Sequence, residues 1–292
     1  MSDEAEEERT LTTNTRDLYL DLLKKSLMGL LWDESKMFRP EDKDIERSFY
    51  RKWVYEAVTK RLARTGRQIM QPVSFDLEAR LNGIDWPPFA HTMVGIKRLD
   101  NLQSCVEDVL RNNVPGDLIE TGVWRGGSTI FMRGILKSYG VTDRRVWVAD
   151  SFEGLPPPDP ANYPSDKGDI HHTFDVLRVS LEEVQANFGR YGLLDEQVRF
   201  LKGWFRDTLP QAPIERLAVL RLDGDLYEST MDSLTNLYPK LQPGGYLIID
   251  DYVLEPCREA VTDFRAAHKI EDEIIRIDGS GVFWQVSRLG NE

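Results

Sequence analysis

Hydrophobic residues in the second half of the chain form short runs that alternate with stretches of helical periodicity. The five main runs cover residues 118–119, 146–149, 198–201, 217–222 and 246–249. Four of them are followed directly by an acidic residue. Short apolar runs of this kind are typical of strands buried on both faces. Their regular alternation with helices predicts an α/β fold with a doubly wound, mostly parallel sheet.

Two further apolar runs, at 274–277 and 282–286, are joined only by the Asp-Gly-Ser-Gly sequence at 278–281. A short connection containing glycine is typical of a hairpin turn. These runs are therefore expected to pair antiparallel, which gives the sheet a reversed C-terminal edge strand.

The N-terminal third is predicted to be helical. Asn14 or Thr15 can cap a helix with leucines on one face, a second apolar face runs over about 44–62, and a third helix carries Leu99 and Leu102. Residues 1–13 are acidic and polar, so disorder is expected there. We expect an acidic tail (1–13), a helical region that covers the site and makes subunit contacts (14–97), and the catalytic domain (98–292).

Composition narrows the possible partners. The 292-residue chain has a net charge of −12 and a pI near 5.0, which argues against a nucleic-acid or anionic-membrane partner. No stretch approaches the roughly 20 apolar residues of a membrane span. The first residues have neither the basic start nor the apolar core of a signal peptide, and the two cysteines cannot form a disulfide framework. We expect a cytoplasmic protein.

The first strand leads into a glycine turn and then a helix. Glu120 ends the strand, Gly122, Gly126 and Gly127 form the turn, and the helix starts near Ser128. A dinucleotide site would show G-x-G-x-x-G with an acid about 20 residues further on. Here the order is E-x-G-x-x-x-G, which resembles the first motif of S-adenosylmethionine (SAM) methyltransferases. Asp150, at the end of the second strand, would then bind the ribose hydroxyls.

Acidic residues follow the fourth and fifth strands. They are Asp223 and Asp225, then Asp250 and Asp251. Because the C-terminal ends of parallel strands meet at one edge, these acids are expected to lie near Glu120 and Asp150. Converging carboxylates need compensation, which a Mg²⁺ ion supplies. Helix caps and solvent-facing acids are the alternative interpretation.

A proline-rich segment, 155–172, directly follows the second strand. A loop of this length is usually an active-site lid or a disordered segment. It contains His171 and His172, and adjacent histidines on a loop are usually surface residues. Whether the loop closes over the site, and whether either histidine contacts substrate or acts as a base, stays open.

Several spaced motifs resemble the macrocin O-methyltransferase family, whose SAM- and Mg²⁺-dependent members methylate deoxysugar hydroxyls in antibiotic biosynthesis. The resemblance begins near Asp17 and continues to the last strand. It includes T-M-V-G (92–95), R-L-D-N-L (98–102), E-T-G-V-W-R-G-G (120–127), D-S-F-E-G-L-P (150–156), G-W-F (203–205), D-G-D-L-Y (223–227) and P-G-G-Y-L-I-I-D-D (243–251). It implies a class I SAM methyltransferase fold, which is Rossmann-like.

The resemblance also implies roles for individual residues. It assigns Mg²⁺ to Asp223, Asp250 and Asp251, and proton abstraction to Asp225. The residues that it places around SAM are Thr92, Met93, Glu120, Thr121, Gly122, Ser128, Asp150, Ser151, Gly203 and Trp204. It further implies a homo-oligomer, a dimer or tetramer, whose acceptor is a glycosylated natural product. The acceptor itself and the methylated hydroxyl are not specified.

Three alternatives remain. A catechol or another small aromatic diol would use the same metal site. A nucleotide-dependent oxidoreductase lacks the expected glycine spacing and an obvious Tyr-Lys or His catalytic pair. A non-catalytic SAM- or metal-binding module is disfavoured because all the expected acids are present.

Overall fold

The computed structural model describes residues 2–40 and 49–287. The N-terminal region contains three helices and a small antiparallel sheet that the sequence did not predict. Its elements are α1 (Ser2–Leu27), β1 (Phe38–Pro40), α2 (Phe49–Ala63), β2 (Met70–Pro72) and α3 (Leu77–Asn82). No helix in the described part of the chain is long and apolar enough to cross a bilayer.

Helix α1 begins at Ser2, whereas the sequence predicts disorder over 1–13 and a helix start at Asn14 or Thr15. Acidic residues are favourable at a helix N-terminus because they interact with the positive end of the helix dipole. The predicted helix over 44–62 is observed from Phe49, and its first residues lie outside the described ones.

The rest of the chain alternates strands and helices as predicted. Its helices are α4 (Ile96–Arg111), α5 (Gly127–Ser138), α6 (Leu181–Arg190), α7 (Phe205–Thr208), α8 (Tyr227–Leu237) and α9 (Glu255–His268). Its strands are β3 (Asp117–Thr121), β4 (Val146–Asp150), β5 (Val198–Lys202), β6 (Leu217–Leu222), β7 (Leu241–Ile249), β8 (Ile275–Arg276) and β9 (Val282–Gln285).

These strands form one sheet in the order β5-β4-β3-β6-β7-β9-β8. Strands β3 to β7 are parallel, β9 runs antiparallel to β7, and the two-residue β8 pairs with β9 at the edge. The predicted doubly wound sheet with a reversed C-terminal strand is confirmed. The chain builds outward from β3 to β5 and then returns to β6, so β3 and β6 flank the switch point where such sheets bind ligands.

Both faces of the sheet are covered. Leu118 and Ile119 are adjacent in β3 and fully buried, yet they belong to different hydrophobic clusters because neighbouring strand residues point to opposite faces. One cluster includes residues of α1, α4 and α5, and the other includes residues of α8 and α9. Leu23 of α1 packs where Gly134 of α5 leaves room, so α1 lies directly on the main domain.

Candidate active site

The glycine turn between β3 and α5 lies against the end of β6. Gly122 has φ of +83°, and a Cβ atom there would lie 1.6 Å from the carbonyl oxygen of Asp223. Only glycine fits this main-chain contact. The turn leads into α5, whose N-terminus has no side-chain cap. Uncapped N–H groups at a helix start favour a carboxylate or phosphate ligand.

Asp150 is held at the end of β4 by main-chain hydrogen bonds. Its carboxylate accepts from the N–H groups of Val123 (2.8 Å) and Phe152 (2.7 Å). Burial raises the pKa of Asp150, and these two donors oppose that shift. Asp150 lines a cavity, here called the Asp150 cavity. Other predicted residues that line it are Met93, Gly122, Ser151, Gly203 and Trp204.

A second cavity, the acid cavity, adjoins the first. The predicted residues that line it are Thr92, Met93, Glu120, Ser128, Asp223, Asp225, Asp250 and Asp251. Met93, Asp223 and Asp225 line both cavities. The structure therefore brings the predicted cofactor, metal and base residues together at the C-terminal edge of the sheet.

Thr121 is the exception among the predicted cofactor residues. It is fully buried, and its hydroxyl accepts a hydrogen bond from Ser233 of α8 (3.2 Å). Side chains alternate along a strand, so Thr121 points to the face opposite Glu120. The Thr121 side chain therefore does not line either cavity, and this geometry gives its predicted role in cofactor binding no support.

Arg221 lies at the centre of the acid cluster, and the sequence analysis missed it. Its guanidinium group forms ion pairs with Glu120 and Asp250, and it also bonds Asp223 (2.9 Å). Only 1% of Arg221 is exposed. The available signal was an arginine inside the otherwise apolar strand β6, because a buried charge requires a partner.

A second buried arginine, Arg98 of α4, pairs with Asp250 and lies 3.1 Å from Asp278. Burial would raise the pKa of Asp250, but Arg221 and Arg98 outweigh it, so this pKa is lowered. At Asp251, burial and the neighbouring carboxylates raise the pKa well above its usual value. Two consecutive residues thus have opposite electrostatic surroundings.

Asp223, Asp250 and Asp251 have the arrangement of a metal-binding set. One carboxylate oxygen from each lies within 4.8 Å of the others. Strand β7 ends at Ile249, so the chain leaves the sheet before the two consecutive aspartates. Burial and Asp250 raise the pKa of Asp223 even though Arg221 opposes them. The two arginines leave a negative excess, and these residues fit a hard dication.

Asp225 follows in the loop between β6 and α8. Its φ of +55° is unusual for a residue other than glycine. Its main-chain N–H donates to Asp251 at 3.3 Å. Burial and the Asp223 carboxylate raise the pKa of Asp225 to about 7. The described residues pair no arginine with this carboxylate.

The acids at the strand ends make one wall of the acid cavity, here called the sheet wall. Its residues are Glu120, Asp223, Asp225, Asp250 and Asp251. Three loops make another part of the lining, the loop wall, and they contribute Trp86, Trp124 and His171. The Trp124 indole donates to the Val176 carbonyl (2.8 Å). Arg125 donates to the Ala90 carbonyl (2.8 Å). The glycine turn therefore contacts both the N-terminal region and the segment that follows the proline-rich loop.

The chain is similar to known O-methyltransferases over most of its length. A family model described as Macrocin-O-methyltransferase (TylF) matches residues 16–286. The chain is 54% identical, over 94% of its length and 95% of the relative, to the Streptomyces olivaceus 8-demethyl-8-(2,3-dimethoxy-alpha-L-rhamnosyl)-tetracenomycin-C 4'-O-methyltransferase. It is 52% identical to the Streptomyces niveus demethyldecarbamoylnovobiocin O-methyltransferase, over 95% and 96%.

A solved structure gives the same result. The O-methyltransferase NovP superposes with a TM-score of 0.79 at 51% identity, covering 94% of this chain and all of that one. The family model spans most of the chain, and both relatives are more than 50% identical to it over nearly their whole length. The chain belongs to the macrocin O-methyltransferase family.

Proposed function

We propose that this O-methyltransferase transfers the methyl group of SAM to a hydroxyl of a deoxysugar on a glycosylated natural product. The observation that carries the proposal is the junction of the Asp150 cavity with the acid cavity at the C-terminal edge of the sheet. The names of the relatives support the acceptor class, since one is a methyltransferase of a rhamnosyl-tetracenomycin and the other of a novobiocin precursor.

SAM is proposed to extend across both cavities. Asp150 would bind the ribose, with Ser151, Gly203 and Trp204 around the adenosine. Met93 lies at the junction, and Thr92, Glu120 and Ser128 lie on the acid-cavity side. The uncapped start of α5 suits the SAM carboxylate.

Mg²⁺ is proposed to bind Asp223, Asp250 and Asp251. A hard dication held there would lower the pKa of a hydroxyl that it coordinates. In this proposal Arg221 and Arg98 fix the Asp250 carboxylate. Asp251 pairs with no arginine among the described residues and its pKa is raised, so a bound dication would displace its proton.

Asp225 is proposed to accept the hydroxyl proton. It lines both cavities, so it lies where the methyl donor and the acceptor meet. Asp223 shares that position, but its carboxylate is bonded to Arg221. As the new oxygen–carbon bond forms and the carbon–sulfur bond breaks, the proton of the attacking hydroxyl passes to Asp225.

A homo-oligomer is part of the proposal. Large apolar side chains are exposed along the N-terminal region, among them Leu18, Leu22, Leu31, Phe38 and Trp53. Such a concentration of exposed apolar residues is typical of an interface. The mass of the protein in solution, by light scattering, tests this point.

Thermal shift tests the cofactor. SAM and S-adenosylhomocysteine are expected to raise the melting temperature, because a ligand that binds only the folded state stabilises it. NAD is the matched control, since the glycine spacing does not suit it. Stabilisation by NAD alone at the same concentration would contradict the methyltransferase assignment of the site.

Release of S-adenosylhomocysteine tests the acceptor. Glycosylated natural products are expected to give turnover, with small catechols as the competing acceptor class. Turnover should stop in excess EDTA after dialysis and return with Mg²⁺. Activity with catechols alone would replace the sugar acceptor, and full activity in EDTA would exclude the proposed metal site.

A further inference from the structure

The loop after β4 contains two adjacent histidines that the structure places in different surroundings. His171 lines the acid cavity together with Asp223, Asp225 and Asp251. His172 does not line it, and its carbonyl accepts a hydrogen bond from Arg178 (3.1 Å). The first histidine therefore faces the site and the second provides a matched control.

Several contacts fix the His171 ring. Its main-chain N–H donates to one oxygen of Asp169 (2.9 Å), and its Nδ1 lies 2.6 Å from the other. Phe174 packs edge-on against the ring, with centroids 5.5 Å apart and planes at 90°. Phe174 in turn contacts Trp86 of the N-terminal region, at 5.7 Å between centroids. The orientation of His171 is thus set by two separate parts of the loop wall.

The bond to Asp169 also sets the tautomer. An ionised carboxylate can only accept, so Nδ1 of His171 carries the hydrogen. In the neutral ring, Nε2 is then an acceptor. No hydrogen-bond partner of Nε2 occurs among the residues that the structure describes.

The other polar groups around the cavity restrict what Nε2 can meet. The carboxylates of Asp223, Asp225, Asp250 and Asp251 are acceptors when ionised. A ligand that brings hydrogen-bond donors can therefore be held between these acids and His171. A neutral molecule with several hydroxyl groups has this chemistry.

On the basis of the proposed function, the geometry points to His171 as a residue that binds the acceptor. Its Nε2 accepts a hydrogen bond from a sugar hydroxyl other than the one that is methylated. Asp169 is the positioning residue that presents the ring. His171 takes no part in proton removal, so its loss weakens acceptor binding more than it slows the chemical step.

Steady-state kinetics with a glycosylated acceptor test this inference. His171→Asn keeps a group near Nδ1 and removes the Nε2 contact, and one lost hydrogen bond predicts a rise of about threefold to tenfold in the acceptor KM. His171→Gln keeps a polar group near Nε2 and should restore much of the affinity. His172→Asn should match the wild type. In all three variants, kcat should stay within about twofold of the wild-type value. The thermal shift that SAM induces should be unchanged.

Asp169→Asn tests the positioning role. The asparagine still lies beside the His171 ring, but an amide can donate as well as accept, so it no longer fixes the tautomer. The acceptor KM should therefore rise without a change in the KM for SAM. Equal acceptor KM values in His171→Asn, His172→Asn and wild type would overturn the inference, as would a His171→Asn variant that loses mainly kcat. A wild-type enzyme that releases no S-adenosylhomocysteine with any glycosylated acceptor would instead refute the proposed function.

Discussion

The sheet wall and the loop wall of the acid cavity are built in different ways. Glu120, Asp223 and Asp250 follow or end adjacent parallel strands, so strand register alone brings their carboxylates together. Trp86 and His171 come from separate segments whose positions depend on a few side-chain contacts. The positions of the proposed catalytic acids are thus fixed by the core of the fold, whereas those of the proposed acceptor-binding residues are set by loop packing.

The two walls also differ in charge. Arg221 and Arg98 are buried within the sheet wall and bonded to its acids. The loop wall instead offers two indoles and an imidazole, and its proline-rich loop is anchored by Asp166, which is 1% exposed. Changes in the sheet wall should therefore alter chemistry or folding, and changes in the loop wall should alter acceptor binding.

The largest expected effect is on turnover, in the sheet wall. Asp225→Asn should cut kcat by about 10²–10⁴-fold, because the amide cannot accept the proton. The affinities for SAM and Mg²⁺ should stay nearly unchanged. Asp223→Asn should instead weaken Mg²⁺ binding, with part of the rate restored at high metal concentration.

The measurement is turnover against Mg²⁺ concentration for both variants, with acceptor and SAM saturating. If both lost the same activity and metal restored both equally, Asp225 would be another ligand. A fully active Asp225→Asn enzyme would show that the proton leaves by another route.

The next effect is on stability. Arg221→Met should lower the free energy of unfolding by about 3–5 kcal/mol, because Glu120 and Asp250 would remain buried without their partner. Urea unfolding measures the change. Arg111→Met is the control, since Arg111 is 70% exposed in its pair with Asp108 and such surface pairs contribute about 0–1 kcal/mol. Similar losses in the two variants would show that Arg221 is not a structural centre of the cluster.

These two walls also explain how much the sequence could predict. The acids at or near the ends of β3, β4, β6 and β7 could be predicted from the strand pattern, because the C-terminal ends of parallel strands meet at one edge of the sheet. Arg221 was detectable as a charge in a buried strand but its partners were not, because they lie on neighbouring strands. The roles of Trp86 and His171 depend on contacts between segments some 85 residues apart in sequence, and no local pattern encodes such a contact.

A smaller effect is expected at the anchor of the loop wall. Asp166 accepts hydrogen bonds from the N–H groups of Tyr227 (2.6 Å) and Glu228 (3.1 Å), which begin α8. Asp166→Ala should cost about 1–2 kcal/mol, as for loss of a helix cap. The acceptor KM should rise as well, because the loop carrying His171 loses its anchor.

Chemical unfolding and acceptor kinetics measure both effects. Asp159→Ala is the control in the same loop, because within the described part of the chain Asp159 bonds only to nearby residues such as Asn162. An Asp166→Ala protein as stable as wild type would show that this loop does not hold the start of α8.

The smallest expected effect is on stability, and it distinguishes the two faces of strand β3. Thr121→Val should cost about 0.5–1.5 kcal/mol of stability through the lost bond to Ser233, with no change in SAM affinity. Glu120→Gln, one residue earlier on the cavity side, should weaken SAM binding. Isothermal titration with SAM distinguishes them, and weaker binding in Thr121→Val would return Thr121 to the cofactor site.

The contact between Gly122 and the carbonyl oxygen of Asp223 has a consequence for how such enzymes diversify. The glycine turn and the end of β6 meet main chain to main chain, with no side chain between them. The spacing between the proposed SAM site and the proposed metal ligands therefore does not depend on which side chains surround it. Substitutions that accumulate in the loop wall can change the accepted sugar over evolutionary time while the distance over which the methyl group moves stays the same.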